Sequence, residues 1–253
     1  MRPPPPTNAA RLAAMPLVDG GTSMREWLSA ETLPTLDLGE CTRLVVVAPH
    51  PDDETLGLGA TIAQLSASGI DVQLVSASDG GAARPGAPAP ARIRLEAVRR
   101  RELRRAAAIL GVSSIISLSL PDGQLAEHEH RLTDRLTRLL ENVGPGTWCA
   151  ATWRGDGHPD HEAVGRAADR ACRRTGVVLL EYPVWMWHWA IPAEPVVPWS
   201  DGFSIALSRW AIARKREAAR CFGSQFEPAE GAGPVLPAFV LDRLIAVGEM
   251  VFR

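Results

Sequence analysis

Two short strings, His50-Pro51-Asp52-Asp53-Glu54 and His158-Pro159-Asp160-His161, hold three of the chain's six histidines and four acids about a hundred residues apart. Imidazole and carboxylate are the ligand types that a borderline-soft divalent ion such as zinc takes. An ion held by such groups, with one position left open, polarises a carbonyl or phosphoryl oxygen and makes water a usable nucleophile near neutral pH. The residue types therefore point to metal-assisted hydrolysis. In the first string Pro49 and Pro51 stiffen the backbone on either side of His50. Neighbours on a turn point in different directions, so one acid can bind metal while another faces a substrate. The ordinary alternative is a helix N-terminus decorated with Asp and Glu. That accounts for one or two acids, but not for three in a row beside a histidine. In the second string Pro159 marks a helix start, with His161 opening the helix and His158 in the loop before it. A pair of surface histidines is the competing reading, and the presence of the first string weakens it. His128, His130 and His188 have no comparable neighbours and read as surface or packing residues.

The strings must be carried by elements that bring them together. Leu44-Val45-Val46-Val47-Ala48 is a continuous, mostly β-branched apolar run, as in a strand buried on both faces of a parallel sheet. Thr55 to Ser68 reads as a helix stopped by Gly69. The alternation continues with strand Val72 to Ala77, helix Arg92 to Leu110, strand Ser114 to Leu118 and helix Arg131 to Asn142. Strand Trp148 to Trp153, helix His161 to Thr175 and strand Val177 to Glu181 complete it. This pattern predicts an α/β fold of the three-layer Rossmann-like kind, a mostly parallel sheet with helices on both faces. Ligands of such sheets gather beyond the carboxyl ends of the strands, where both strings fall. Beyond Tyr182 the pattern blurs. Trp185, Trp187 and Trp189 alternate and would share one face of a strand. Phe203 to Leu207 suggests a strand, Ser208 to about Cys221 a helix, and a last helix starts near Ala238. The stretch from Gly80 to Pro90, rich in Gly, Pro and Ala, reads as a mobile loop. Lys215 reads as an ordinary solvated helix position.

At 253 residues, with 46% hydrophobic and 22% charged residues, the chain suits one soluble domain with a full core. Residues 1–38 read as a Pro-rich N-terminal arm and 39–253 as a single α/β domain. A net charge of -2 gives no reason to expect nucleic acid as a partner. No apolar run approaches the roughly 18 residues that a membrane helix needs. Pro3 to Pro6 lack the layout of a signal peptide. Four scattered cysteines, with no CxxC pair, read as reduced thiols, so the expected location is cytoplasmic. A homo-oligomer stays open.

The paired strings at this spacing resemble the two signatures of the PIG-L/LmbE family of zinc-dependent de-N-acetylases, over roughly residues 43–181. The resemblance implies hydrolysis of an N-acetyl or N-acyl group from an amino sugar in a small glycoside or glycoconjugate. It implies that His50, Asp53 and His161 ligate Zn2+, with Fe2+ or another divalent metal as an alternative. Asp52 would be the general base for the attacking water, and His158 would act across the site on the carbonyl or the leaving amine. Glu54 and Asp160 would support these groups from behind. Arg99, in an Arg-x-x-Glu with Glu102, and Asp122, in Leu120-Pro121-Asp122-Gly123, resemble substrate-binding positions. Their ordinary alternatives are a helix-surface ion pair and a turn aspartate. The chain departs from the family where it reads Leu56-Gly57-Leu58-Gly59-Ala60-Thr61 in place of a Gly-Gly pair. No third glycine follows to make a dinucleotide loop, so these glycines read as sites of close helix packing. Two other functions are compatible with the residues: a two-metal phosphoesterase, and a non-catalytic sugar-binding module on the same fold.

Overall fold

The computed structural model describes residues 4–228 and 233–253. Residues 1–3, part of the Pro-rich segment, lie outside the described residues. Helices α1 (Asn8–Ala13) and α2 (Met24–Leu28) precede the sheet. Then come β1 (Arg43–Ala48), α3 (Asp53–Ala67), β2 (Asp71–Ser78), α4 (Ala89–Ile109), β3 (Ser114–Leu120), α5 (Glu129–Leu140), β4 (Thr147–Thr152), α6 (Pro159–Thr175) and β5 (Val178–Tyr182). The chain ends through α7 (Met186–Trp189), β6 (Gly202–Ser204), α8 (Arg209–Ala219), α9 (Gly223–Phe226), α10 (Ala238–Ala246) and β7 (Met250–Phe252). Among the described residues, no helix is long and apolar enough to cross a membrane.

The strands form one sheet in the order β3-β2-β1-β4-β5-β7-β6. The first five pair in parallel, and β7 runs antiparallel to both β5 and β6. Strand β1 shows why the fold has three layers. Leu44 and Val46 point into a core shared with Leu56, Ile62 and Leu103 from α3 and α4. Val45 and Val47 point the other way, onto Leu132 and Leu136 of α5 and Val164 of α6. A strand with apolar side chains on both faces can be buried only between two layers of helices. Because β2 and β4 flank β1 on opposite sides, the chain reverses its direction of winding there. The loops after β1 and β4 diverge at that point and leave a crevice at the carboxyl end of the sheet. Both strings open into it.

Two local expectations need correction. Trp185, Trp187 and Trp189 do not share a strand face, because 186–189 is a single helical turn. Trp187 and Trp189 are buried in the core, whereas Trp185 is half-buried. Lys215 is not solvated: it is 2% exposed and its Nζ sits 2.9 Å from Glu249, which also accepts from the Ala60 and Thr61 backbone amides. The loop that begins at Gly80 is anchored at its first residues. Gly80 O accepts from Arg99, and the Ala82 amide donates to Asp122. The glycines after the first string do allow close packing. A Cβ on Gly57 would stand 2.3 Å from the Tyr182 ring, and one on Gly59 would stand 3.0 Å from the Lys215 stem.

The buried Lys215–Glu249 pair has a measurable consequence. Lys215→Met leaves a carboxylate in the core without its cation, a change that costs about 3–5 kcal/mol. Denaturant titration should show that loss as a lower midpoint at unchanged slope. A midpoint equal to that of the wild type would mean that Glu249 is satisfied by its amide donors alone.

The segment before β1 is laid against the rest of the chain. A capping box between Ser23 and Glu26 starts α2. Trp27, 7% exposed, donates from Nε1 to Trp187 O at 2.9 Å. Asn8 donates to Gly155 O at 2.8 Å, and the Leu36 amide donates to Ser204 O. Tryptophan burial and backbone pairing, rather than the prolines, hold this segment in place.

Candidate active site

The turn from β1 to α3 is built on a strained residue. Asp52 has φ 141° and ψ −31°, a region that costs a non-glycine residue on the order of 1–3 kcal/mol. Glu54 holds the strained turn by accepting the Asp52 amide at 3.1 Å, and its other oxygen accepts the Thr55 hydroxyl at 2.6 Å. Arg99 of α4 holds it from the other side, donating to Pro51 O at 2.8 Å and to Asp52 Oδ1 at 2.9 Å. The unusual backbone turns Asp52 and Asp53 apart. Asp53 faces the two histidines, and Asp52 faces the arginine.

Three ligand atoms converge on one point. His50 Nδ1 lies 3.1 Å from Asp53 Oδ2, and His161 Nε2 lies 3.3 Å from the same oxygen. Tetrahedral sites with metal–ligand bonds near 2 Å have neighbouring ligand atoms about 3.3 Å apart. His161 Nε2 is buried and has no hydrogen-bond partner among the described residues. Its other nitrogen, Nδ1, is 2.8 Å from Asp156 Oδ2 and donates its proton there, so in the neutral ring that a metal would need the lone pair is on Nε2. His50 follows the same rule: its Nε2 faces Asp122 at 3.0 Å and Asp160 at 3.1 Å, so Nδ1 is the free base. A histidine held by a carboxylate on its far side is the usual partner of a metal. The residues present therefore fit a divalent cation.

A second group, His50 Nε2 with Asp122 and Asp160, has comparable spacing. There the acids are already engaged. Asp160 accepts the Gly123 and Leu125 amides at 2.8 and 3.0 Å, and Asp122 accepts Ala82 N. This group orients His50.

The electrostatics follow from burial and neighbours. Burial alone would raise Asp53, but the His161 and His50 imidazoles outweigh it and hold its carboxyl well below the usual range. Burial pushes Asp52 up to about 8, Arg99 opposes this, and the Asp53 and Glu54 carboxylates add to it. Glu54 rises to about 7, mainly by burial. Burial would lower His161, but Asp53 and then Asp156 carry it to about 9. His158 goes the other way: burial, then the His161 and His50 charges, push it down to about 3. His158 is thus a neutral imidazole, and its Nδ1 caps α6 by accepting the Asp160 amide at 3.2 Å. Its proton is on Nε2, so it is a hydrogen-bond donor.

These groups border a cavity of about 300 Å3. His50, Asp52, Asp53 and His158 line it together with Arg99 and Asp122, while His161 lies beneath the ligand cluster at 0% exposure. The structure thus brings His50, Asp53 and His161 together and sets Asp52, His158, Arg99 and Asp122 around the same cavity. Arg99 uses both terminal nitrogens on Gly80 O, Pro51 O and Asp52, and Glu102 caps α9 through the Ser224 amide and hydroxyl. Trp185 stacks on His158 with ring centroids 6.4 Å apart.

Sequence reasoning missed Asp156. It is fully buried and accepts the Val184, Trp185 and Met186 amides, each at 2.9 Å, as well as His161. The signal was present in Arg154-Gly155-Asp156-Gly157-His158, an acid between glycines just before the second string. Asp156→Asn would place an amide against donors that need an acceptor. Metal affinity should fall roughly 10–100-fold, as read by competition with a chromogenic chelator; unchanged affinity would remove Asp156 from this role. The apolar wall formed by Val235, Leu236, Val240 and Leu244 was missed as well, because it comes from the region after Tyr182.

Several known proteins are similar to this chain over part of its length. A diacetylchitobiose deacetylase of Thermococcus kodakarensis is 32% identical over 125 residues, 49% of this chain and 46% of that protein. A Bacillus subtilis protein named "probable N-acetyl-alpha-D-glucosaminyl L-malate deacetylase 2" is 33% identical over 135 residues, 52% and 61% of the two chains. The matches thus span about half the length of these curated relatives. Among solved structures, a conserved protein of Thermus thermophilus aligns with a TM-score of 0.55 and 30% identity, over 79% of this chain and 84% of that one. The family model described as PIG-L, GlcNAc-PI de-N-acetylase, matches residues 45–172, half of the chain and both strings. The chain belongs to the PIG-L family.

Proposed function

We propose that the protein is a zinc-dependent deacetylase that hydrolyses the N-acetyl, or a longer N-acyl, group of an amino sugar in a small glycoside or glycoconjugate. The observation that carries this reading is the convergence of His50 Nδ1, Asp53 Oδ2 and the unpartnered, buried His161 Nε2. These three residues would hold zinc, which would supply Lewis acidity toward an amide carbonyl and toward water near neutral pH. Asp52 accepts the proton of the attacking water; a cation beside it favours its charged form. Arg99 positions that carboxylate. His158, neutral and carrying its proton on Nε2, donates to the carbonyl oxygen as negative charge develops there. When the C–N bond breaks, the proton held by Asp52 passes to the amine nitrogen, giving acetate and a free amino sugar. Trp185 offers an aromatic face to the sugar ring, and Asp122 and Asp160 keep His50 in the required tautomer.

In this reading residues 39–253 are one α/β domain with residues 1–38 laid over it. The four free cysteines fit a reducing compartment such as the cytoplasm. The test is acetate release from N-acetylglucosamine glycosides with varied aglycones, with and without chelator, alongside metal analysis. One ion per chain and chelator-sensitive acetate release support the deacetylase. Two ions per chain with phosphate ester cleavage would support the phosphoesterase instead. Glycoside binding without acetate release, zinc being supplied, would reduce the protein to a sugar-binding module.

A further inference from the structure

Among the described residues, the other deeply buried cations face a carboxylate. Arg99 has Asp52 at 2.9 Å, and Lys215 has Glu249 at 2.9 Å. Arg243 of α10, only 5% exposed, has no carboxylate partner among the described residues. Its guanidinium donates to Trp187 O at 3.1 Å and to Gly20 O, approaches His188 Nδ1 at 3.4 Å, and lies 5.3 Å from the Phe239 ring centroid. His188 Nε2 is 3.0 Å from Met15 O and donates its proton there, so the nitrogen facing Arg243 is a neutral acceptor. Burial pulls the Arg243 pKa down and lowers that of His188 as well, so His188 adds no second charge. An arginine keeps its proton in a protein. A buried cation surrounded only by neutral acceptors is under-compensated.

Its position is informative. Val240, Arg243 and Leu244 occupy one helical face by their spacing, and all three border the cavity that His50, Asp53 and His158 also border. Val184, Trp187 and Leu236 line the same cavity, so much of its wall is apolar. A ligand group entering that part of the cavity loses water, which strengthens its interaction with a fixed charge. The region lies outside the family match at residues 45–172, so it is a feature of this chain's own C-terminal part.

We propose that Arg243 is an anion subsite for the substrate. The substituent on the amino sugar, remote from the amide to be cleaved, carries a carboxylate or a phosphate that pairs with the guanidinium. This proposal rests on the deacetylase reading and narrows it to acidic glycosides. The competing role for Arg243 is purely structural, as a clamp joining the Gly20 and Trp187 carbonyls.

Three N-acetylglucosaminides of similar size separate the two roles: carboxymethyl, phosphonomethyl and the neutral carbamoylmethyl glycoside, each assayed for acetate release by the zinc-loaded full chain. At least one acidic glycoside should exceed the neutral one in kcat/KM by roughly 10–100-fold, the worth of a charge-assisted hydrogen bond. The better of the two identifies carboxylate or phosphate as the group taken. Within Arg243→Met this ratio should collapse toward one, and Arg243→Lys should retain part of it. The ratio is measured inside each protein, so a general loss of stability cancels; a clamp would lower all three substrates in proportion and keep the ratio. If Arg243→Met does not fold, the wild-type ratio and Arg243→Lys decide. A wild-type ratio of one, or a ratio preserved in Arg243→Met, overturns the proposal. Calorimetry with the corresponding free-amine glycosides separates the two levels of inference. Absence of acetate from every substrate removes the deacetylase reading alone, whereas equal affinity for acidic and neutral amines removes the subsite.

Discussion

Asp52→Asn should keep one metal ion per chain and lower kcat by about 10²–10⁴-fold, the usual contribution of a positioned general base. The amide retains an oxygen for the Arg99 hydrogen bond, now 2.9 Å long, and the three converging ligand atoms belong to other residues. What it loses is the capacity to take a proton. Metal content by elemental analysis and turnover by acetate release must therefore separate. Full activity would show that another group serves as base. Loss of metal would show that Asp52 helps to hold the ion.

The second large effect is expected at His161. His161→Ala removes a ligand whose ring is fully buried and whose Nε2 has no other partner among the described residues. Metal affinity should fall by more than the roughly 10–100-fold expected for loss of a supporting hydrogen bond, and acetate release should fall to background. The wild type should also show a defined pH dependence. In the metal-free protein Asp53 and Asp156, outweighing burial, hold the His161 proton up to pH about 9. Binding metal must displace that proton, so lower pH disfavours binding. Affinity should climb about tenfold per pH unit for each proton displaced, and the His161 contribution should level off above pH about 9. His161→Ala should flatten this slope by one proton. A slope unchanged in the variant would mean that His161 does not compete for protons with the metal.

How far these features could be read from the chain differs from element to element. The run Leu44–Ala48 announces a strand buried on both faces, because no half-exposed strand can be apolar at every position. The acids and histidines declare themselves by type and adjacency, and both strings fall at strand ends where such sheets collect ligands. The features that escaped notice depend on contacts remote in sequence. Lys215 looks solvated between two arginines, and its carboxylate partner is Glu249 in another part of the chain. Trp185, Trp187 and Trp189 obey a period of two, but five residues are too few to separate a strand from one helical turn. Strand β7 has only three residues, Met250–Phe252, and exists through its pairing with β5 and β6. Arg99 and Asp122 could be placed near the chemistry, but not oriented. In the fold Arg99 holds Asp52, and Asp122 holds His50.

The strain in the dihedral angles at position 52 is offset by the ion pair that this residue makes with Arg99. A glycine there would relax a backbone conformation that disfavours aspartate by on the order of 1–3 kcal/mol, but it would leave Arg99, 3% exposed, without its carboxylate, a loss of about 3–5 kcal/mol. Heat tolerance alone would therefore not remove the aspartate, because the ion pair outweighs the strain. Neither a glycine nor a larger side chain at this position is therefore a route to a higher melting temperature, and stabilising changes belong on surfaces far from the first turn of α3.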